Sequence, residues 1–143
     1  MMRMPVGLVC ALVIAVFAAA CGDSSPSAPT TTTAPYSATD LVVGTGAVAG
    51  SGSLVTVSYI LWLHDSSKTD AKGNQVQANS GFQFRLGTGA VIRGWDQGVP
   101  GMRVGGQRRL VLPPDLAYGS TSPSADIPAN ATLVFDITLI SVQ

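Results

Sequence analysis

Only one stretch of this chain can coil into an α-helix. Ile92 to Val99 (IRGWDQGV) is long enough, but its glycines and the following Pro100 hold it to about two turns. Elsewhere glycine (16) and proline (9) are plentiful, and all eight acidic residues are aspartates, so long exposed helices lack their usual material. An α+β, mainly β domain with one short helix as its plug is therefore expected. With 143 residues the chain has room for one domain of ordinary size, and its 46% hydrophobic content can fill a core.

The strands follow from alternation. SLVTVSYILWL, from Ser53 to Leu63, is β-branched and aromatic and puts Val55, Val57, Tyr59, Leu61 and Leu63 on one face. HDSSKTDAKGNQ after it has the composition of a long turn. GFQFRLG is a short strand with Phe82, Phe84 and Leu86 on one side, and QRRLVLP at 107–113 repeats the pattern. The last strand, ATLVFDITLISV, alternates Leu133, Phe135, Ile137 and Leu139 toward a core with Thr132, Val134, Asp136 and Thr138 on a wetter face. No internal repeat is visible, which removes solenoid architectures.

The first twenty residues stand apart, because a single arginine, an apolar run and small residues before Cys21 are the pattern of an export signal. The apolar run at 5–20 is shorter than the roughly 20 residues a spanning helix needs. Ala18-Ala19-Ala20-Cys21 resembles a bacterial lipobox, although Ala18 stands where leucine is usual. That resemblance implies lipidation of Cys21, an anchor of several acyl chains and a place in the bacterial cell envelope. Cys10 would leave with the signal, so the folded domain keeps no thiol; a Cys10–Cys21 bridge is the competing reading. Residues 21–39 are small, polar and proline-rich and read as a flexible tether, with the folded domain at 40–143.

Most chemistries drop out by elimination. Zero net charge offers no basic footprint for nucleic acid. The single histidine, His64, sits beside Asp65 and two serines in one loop, where a nucleophile, base and orienter cannot line up, so a solvated turn is the better reading. Scattered aspartates and one histidine make neither a metal site nor a calcium loop, and no cofactor is expected. The glycines of VVGTGAVAGSG precede a strand instead of a helix, so they form a flexible β-connection and not a phosphate-binding loop.

Catalysis without acid, base or metal must then work by shape, desolvation and a few hydrogen bonds. Rotation about an X-Pro bond suits those means. No covalent bond breaks, yet amide resonance raises a barrier of ~18–20 kcal/mol. The twisted amide carries less charge on its carbonyl, so a dry aromatic pocket favours it over the planar ground state. A thousandfold acceleration needs about 4 kcal/mol of differential stabilisation.

Three blocks converge on that chemistry. VIRGWDQGVPGMRVGG, RRLVLPPDLAYG and IPANATLVFDITL occur in this order, and together they resemble the FKBP family of peptidyl-prolyl isomerases from about Asp40 to the C-terminus. The resemblance implies a strongly twisted antiparallel sheet wrapped around one short helix, with Trp95 as the pocket floor on which a proline ring rests. It places Tyr59, Phe82, Val91, Ile92, Trp95, Tyr118 and Phe135 around the pocket and Ile127 at its rim. It assigns the Ile92 backbone N–H and the Tyr118 hydroxyl to peptide carbonyls. Implied partners are proline-containing exported proteins and macrolide ligands, met by a monomer.

Departures from the family pattern are concentrated in KGNQVQANSGF. Val76-Gln77 stands where relatives commonly have a Phe-Asp pair, so the aromatic wall is expected to shrink and a carboxylate beside the pocket becomes a neutral amide. Ile60-Leu61 replaces a usual Thr-Gly, and Asp126 occupies a usually apolar place before Ile127. Reduced or altered isomerase activity follows as an expectation. A proline-peptide-binding module or holdase that grips without accelerating rotation is the alternative, and a purely structural lipoprotein is the third reading.

Overall fold

The computed structural model describes residues 33–143. The expected export segment, Cys21 and most of the expected tether lie outside the described residues. Strands β1 (Ser37–Val42), β2 (Leu54–His64) and β3 (Lys72–Arg85) come first, followed by helix α1 (Arg93–Gly98). Strand β4 (Gln107–Leu112), a 3-10 turn at Pro114–Leu116 and β5 (Leu133–Val142) complete the order. The strands form one antiparallel sheet in the order β1-β4-β5-β2-β3, so β5, last in the chain, lies in the middle.

The middle position suits the residues of β5. Leu133, Phe135, Ile137 and Leu139 are buried as their alternation requires, joined by Val55, Val57 and Leu61 of β2 and Leu110 and Leu112 of β4. Truncating any such leucine to alanine costs about 2–5 kcal/mol. The opposite face of β5 is not wet as expected, because Val134 is 0% and Asp136 only 6% exposed. Long side chains from β4 and β3 cover it. Arg109 Nε–H and Nη2–H donate to Asp136 Oδ1 and Oδ2 at 2.7 and 2.9 Å, and Lys72 Nζ reaches Oδ2 at 2.7 Å.

Helix α1 packs on β4 through its glycines. A Cβ at Gly94 would overlap the Leu112 methyl groups, and one at Gly98 would lie 2.6 Å from Leu110 Cδ2. Only glycine lets the backbone come that close. Arg108 fastens the C-terminal end, its guanidinium donating to the carbonyls of Gly98 (2.8 Å) and Pro100 (3.2 Å) while pairing with Asp40 of β1.

Several boundaries differ from expectation. Ser37, Ala38 and Thr39, assigned to the tether, pair with Val111, Leu110 and Arg109 as the start of edge strand β1. The long turn expected after β2 ends sooner, since β3 begins at Lys72 and runs without a break to Arg85. Its pairing with β2 shifts register three times, between Val57 and Tyr59, Leu61 and Trp62, and Trp62 and His64. Each irregularity increases local twist, and together they bend this edge around the helix. The connection expected to be flexible at 42–52 is pinned, for Ala49 N–H donates to Met102 O at 2.8 Å and Gly101 N–H to Ala49 O at 2.8 Å.

Candidate functional site

The tight helix-sheet approach leaves Trp95 with its indole against the sheet and only 4% exposed. Four rings from three strands surround it. Tyr59 of β2 lies 5.0 Å away at 80°, Phe135 of β5 5.3 Å at 84°, and Phe84 and Phe82 of β3 at 5.4 and 5.9 Å. Three of these pairs are edge-on, the arrangement aromatic quadrupoles prefer, worth about 0.5–1.5 kcal/mol each beyond area burial. The indole Nε1–H is buried and meets no acceptor among the described residues. That unmet donor costs about 1–3 kcal/mol, which the ring packing outweighs.

Above the indole is a cavity of about 410 Å³. It brings together Tyr59, Gln77, Phe82, Val91, Ile92, Trp95, Tyr118 and Phe135 of the expected residues, and adds Leu61 and Ala90, which the sequence reading did not place there. Two expected residues do not line it. Ile127 is 4% exposed and belongs to the buried core instead of the rim. Val76 packs against the core from beside the cavity, because it is the extra residue where Leu61 faces Gln77 and Trp62 faces Gln75. Val76 itself does not touch the cavity in this fold.

The lining carries no lysine, arginine, histidine, aspartate or glutamate. Burial pushes the Tyr59 phenol above its ordinary value of 10.0, the neighbouring Tyr118 adds to the rise, and hydrogen bonding with Asn79 opposes it. Tyr59 is thus a neutral phenol near neutral pH. Ile92 stands just before α1, where its carbonyl accepts from the N–H groups of Trp95 (3.0 Å) and Asp96 (3.4 Å). Its own N–H has no protein acceptor among the described residues, so it is available at the cavity wall. Tyr118 is 36% exposed and offers a hydroxyl from the opposite side of the sequence, in the loop after β4.

His64 and its neighbours make no competing site. His64 is the last residue of β2, not a turn residue, and its N–H donates to Thr132 O at 3.0 Å. Asp65 accepts from the Ser67 N–H at 2.9 Å and the Ser67 hydroxyl at 2.6 Å, which is local turn chemistry. Those two hydrogen bonds hold its carboxyl below the usual value of 3.8.

Comparisons with known proteins agree with this geometry. The chain is 48% identical over 102 residues to FK506-binding protein 4 of Dictyostelium discoideum, a match covering 71% of this chain and 27% of that protein. It is 44% identical over 104 residues to the 46 kDa FK506-binding nuclear protein of Spodoptera frugiperda, covering 73% and 24%. The chain thus spans about a quarter of the length of these curated relatives. Among solved structures, the crystal structure of AtFKBP13 aligns with a TM-score of 0.62 at 34% identity, covering 76% of this chain and 93% of that one. A peptidyl-prolyl cis-trans isomerase from Pseudomonas syringae pv. tomato aligns at 0.63 and 33%, covering 76% and 75%.

The curated relatives correct one expectation. They are proteins of eukaryotes, one of them named as nuclear, and not bacterial envelope lipoproteins, so the expected placement in a bacterial cell envelope is overturned. The twisted antiparallel sheet around one short helix, shared with both solved structures, is the fold that the three sequence blocks imply. Residues 46–140 match the family of FKBP-type peptidyl-prolyl cis-trans isomerases, and the chain belongs to that family.

Proposed function

We propose that this chain is a peptidyl-prolyl cis-trans isomerase whose cavity holds an X-Pro segment with the proline ring on the Trp95 indole. The observation that carries the reading is the pairing of an uncharged aromatic cavity with two neutral hydrogen-bond donors at its wall, the Ile92 N–H and the Tyr118 hydroxyl. The planar amide has the larger dipole, so withdrawing it from water raises the ground state more than the twisted state. The Ile92 N–H and Tyr118 hydroxyl hold the flanking carbonyls while the bond between them turns. About 4 kcal/mol of such differential stabilisation gives a thousandfold acceleration. No proton changes hands at any step.

Clients are proline-containing proteins, and FK506, for which the relatives are named, fits the same cavity as a ligand. Action as a monomer is part of this reading. Gln77 at the wall favours one second reading, a module that grips proline peptides without turning them. An isomerisation assay on a proline peptide, run beside an indole fluorescence titration, separates the two. Acceleration with binding supports the isomerase, binding alone selects the gripping module, and neither removes both. Trp62 lies in the Lys72 contact on the sheet's other face and contributes only a constant background.

A further inference from the structure

Asp96 has no part in the chemistry described above, yet its side chain joins two parts of the site. Both carboxylate oxygens turn back from α1 to the segment before it: Gly87 N–H donates to Oδ1 and Gly89 N–H to Oδ2, each at 3.0 Å. These glycines have φ of +75° and +73°, a left-handed geometry that other residues adopt only with strain, and it presents both amides to the one carboxylate. Leu86 just upstream is fixed by its bonds with Ser53 (2.9 Å) and Gly52 (2.8 Å). Immediately downstream are Ala90, Val91 and Ile92, three consecutive wall residues of the cavity, and then the helix that carries Trp95.

We propose that Asp96 is a positioning residue, a clasp that closes a ring from the helix through Ile92 and the wall back to the helix. The clasp sets the distance between the wall and the indole floor and the direction of the Ile92 N–H. Small displacements there matter, since misplacing a positioning group by about 1 Å can cost 10²-fold in rate. Charge-assisted bonds from backbone N–H to carboxylate are the strong kind, suited to hold a segment that has only a turn to stiffen it.

The activity readout rests on the isomerase reading, so the test includes one that does not. Asp96→Ala, Asp96→Asn and Asp96→Glu are compared with wild type and with Asp65→Asn, a charge removal in the exposed turn after β2. Hydrogen exchange over 87–92 is expected to quicken about tenfold or more in Asp96→Ala and to recover toward wild type in Asp96→Glu. In a proline-peptide assay kcat/KM is expected to fall about tenfold in Asp96→Ala, mainly through KM, with Asp96→Asn between and Asp65→Asn at the wild-type value. Unchanged exchange over 87–92 overturns the clasp, as does a fall in Tm with kcat/KM intact at low temperature. A wild type that is itself inactive removes the isomerase reading and leaves the exchange result to decide the clasp.

Discussion

Phe135 and Asp136 are adjacent on β5 and serve opposite faces of one sheet. On the inner face every residue lining the cavity presents a ring, an aliphatic chain, a phenol or an amide, and a buried indole N–H goes unmet. On the outer face a carboxylate with a 7% exposed side chain is met by two cations, one of which also lies 4.0 Å from the Trp62 ring centroid. The outer face therefore buries charge by pairing it. The cavity wall on the inner face carries no charged side chain, leaves polar groups unpaired and keeps a hollow. The contrast separates what braces this fold from what reacts in it, and each can be broken without the other.

The largest effect is expected from the outer face. Asp136→Ala strands the Arg109 and Lys72 charges and is expected to cost about 3–5 kcal/mol in urea unfolding, while kcat/KM per folded molecule stays near wild type. Adding Arg109→Leu and Lys72→Met to it should recover much of that loss. Burial raises the Asp136 pKa, but the hydrogen bonds from Arg109 and Lys72 outweigh it, and the carboxyl ends below 3.8. A depressed folded value means that the unfolded chain takes up the proton first. The stabilisation is thus full above the unfolded pKa and is lost as pH falls through the lower, folded one. Acid unfolding of wild type followed by circular dichroism, against Asp136→Asn, checks this.

A smaller effect lies at the join between the two faces. Gly94→Ala forces a Cβ into Leu112 and is expected to cost about 1–3 kcal/mol, with kcat/KM falling because the helix carries Trp95 away from its rings. Unaltered activity there would detach the floor from the mechanism. Tyr118→Phe touches the inner face alone. One neutral hydrogen bond is worth about 0.5–1.5 kcal/mol, so kcat/KM should fall about two- to twelvefold with Tm unmoved. The smallest change is expected for Gln77→Asp, which restores the wall carboxylate and should raise kcat/KM a few-fold, within about 1 kcal/mol. No gain would separate Gln77 from the rate.

Residues whose burial follows a simple period were legible. β2, β4, β5 and α1 stand within a residue or two of their expected places because one apolar face meets a core, whereas the grouping of Trp95 with Tyr59, Phe82 and Phe135 was implied by the family resemblance and by no period. β1 escaped because all six residues are exposed, so no alternation marks it. The first half of β3 escaped because it is an edge strand whose register irregularities break its phase, and that same phase shift moved Val76 off the cavity while leaving Gln77 on it. The burial of Asp136 depends on partners 27 and 64 residues away on two strands, which no local pattern contains. Asp96 did leave a signal, a carboxylate beside the tryptophan of a short helix that follows a Gly-Thr-Gly turn. Its meaning needed the turn's left-handed geometry.

The pH dependence of kcat/KM on a proline peptide tests most directly whether rotation proceeds without proton transfer. No lysine, arginine, histidine, aspartate or glutamate lines the cavity and burial raises the Tyr59 phenol, so the profile is expected to be flat from about pH 5 to about pH 9. A bell, or a step within that range while the protein remains folded, would mean that a proton donor or acceptor takes part and would contradict the desolvation account.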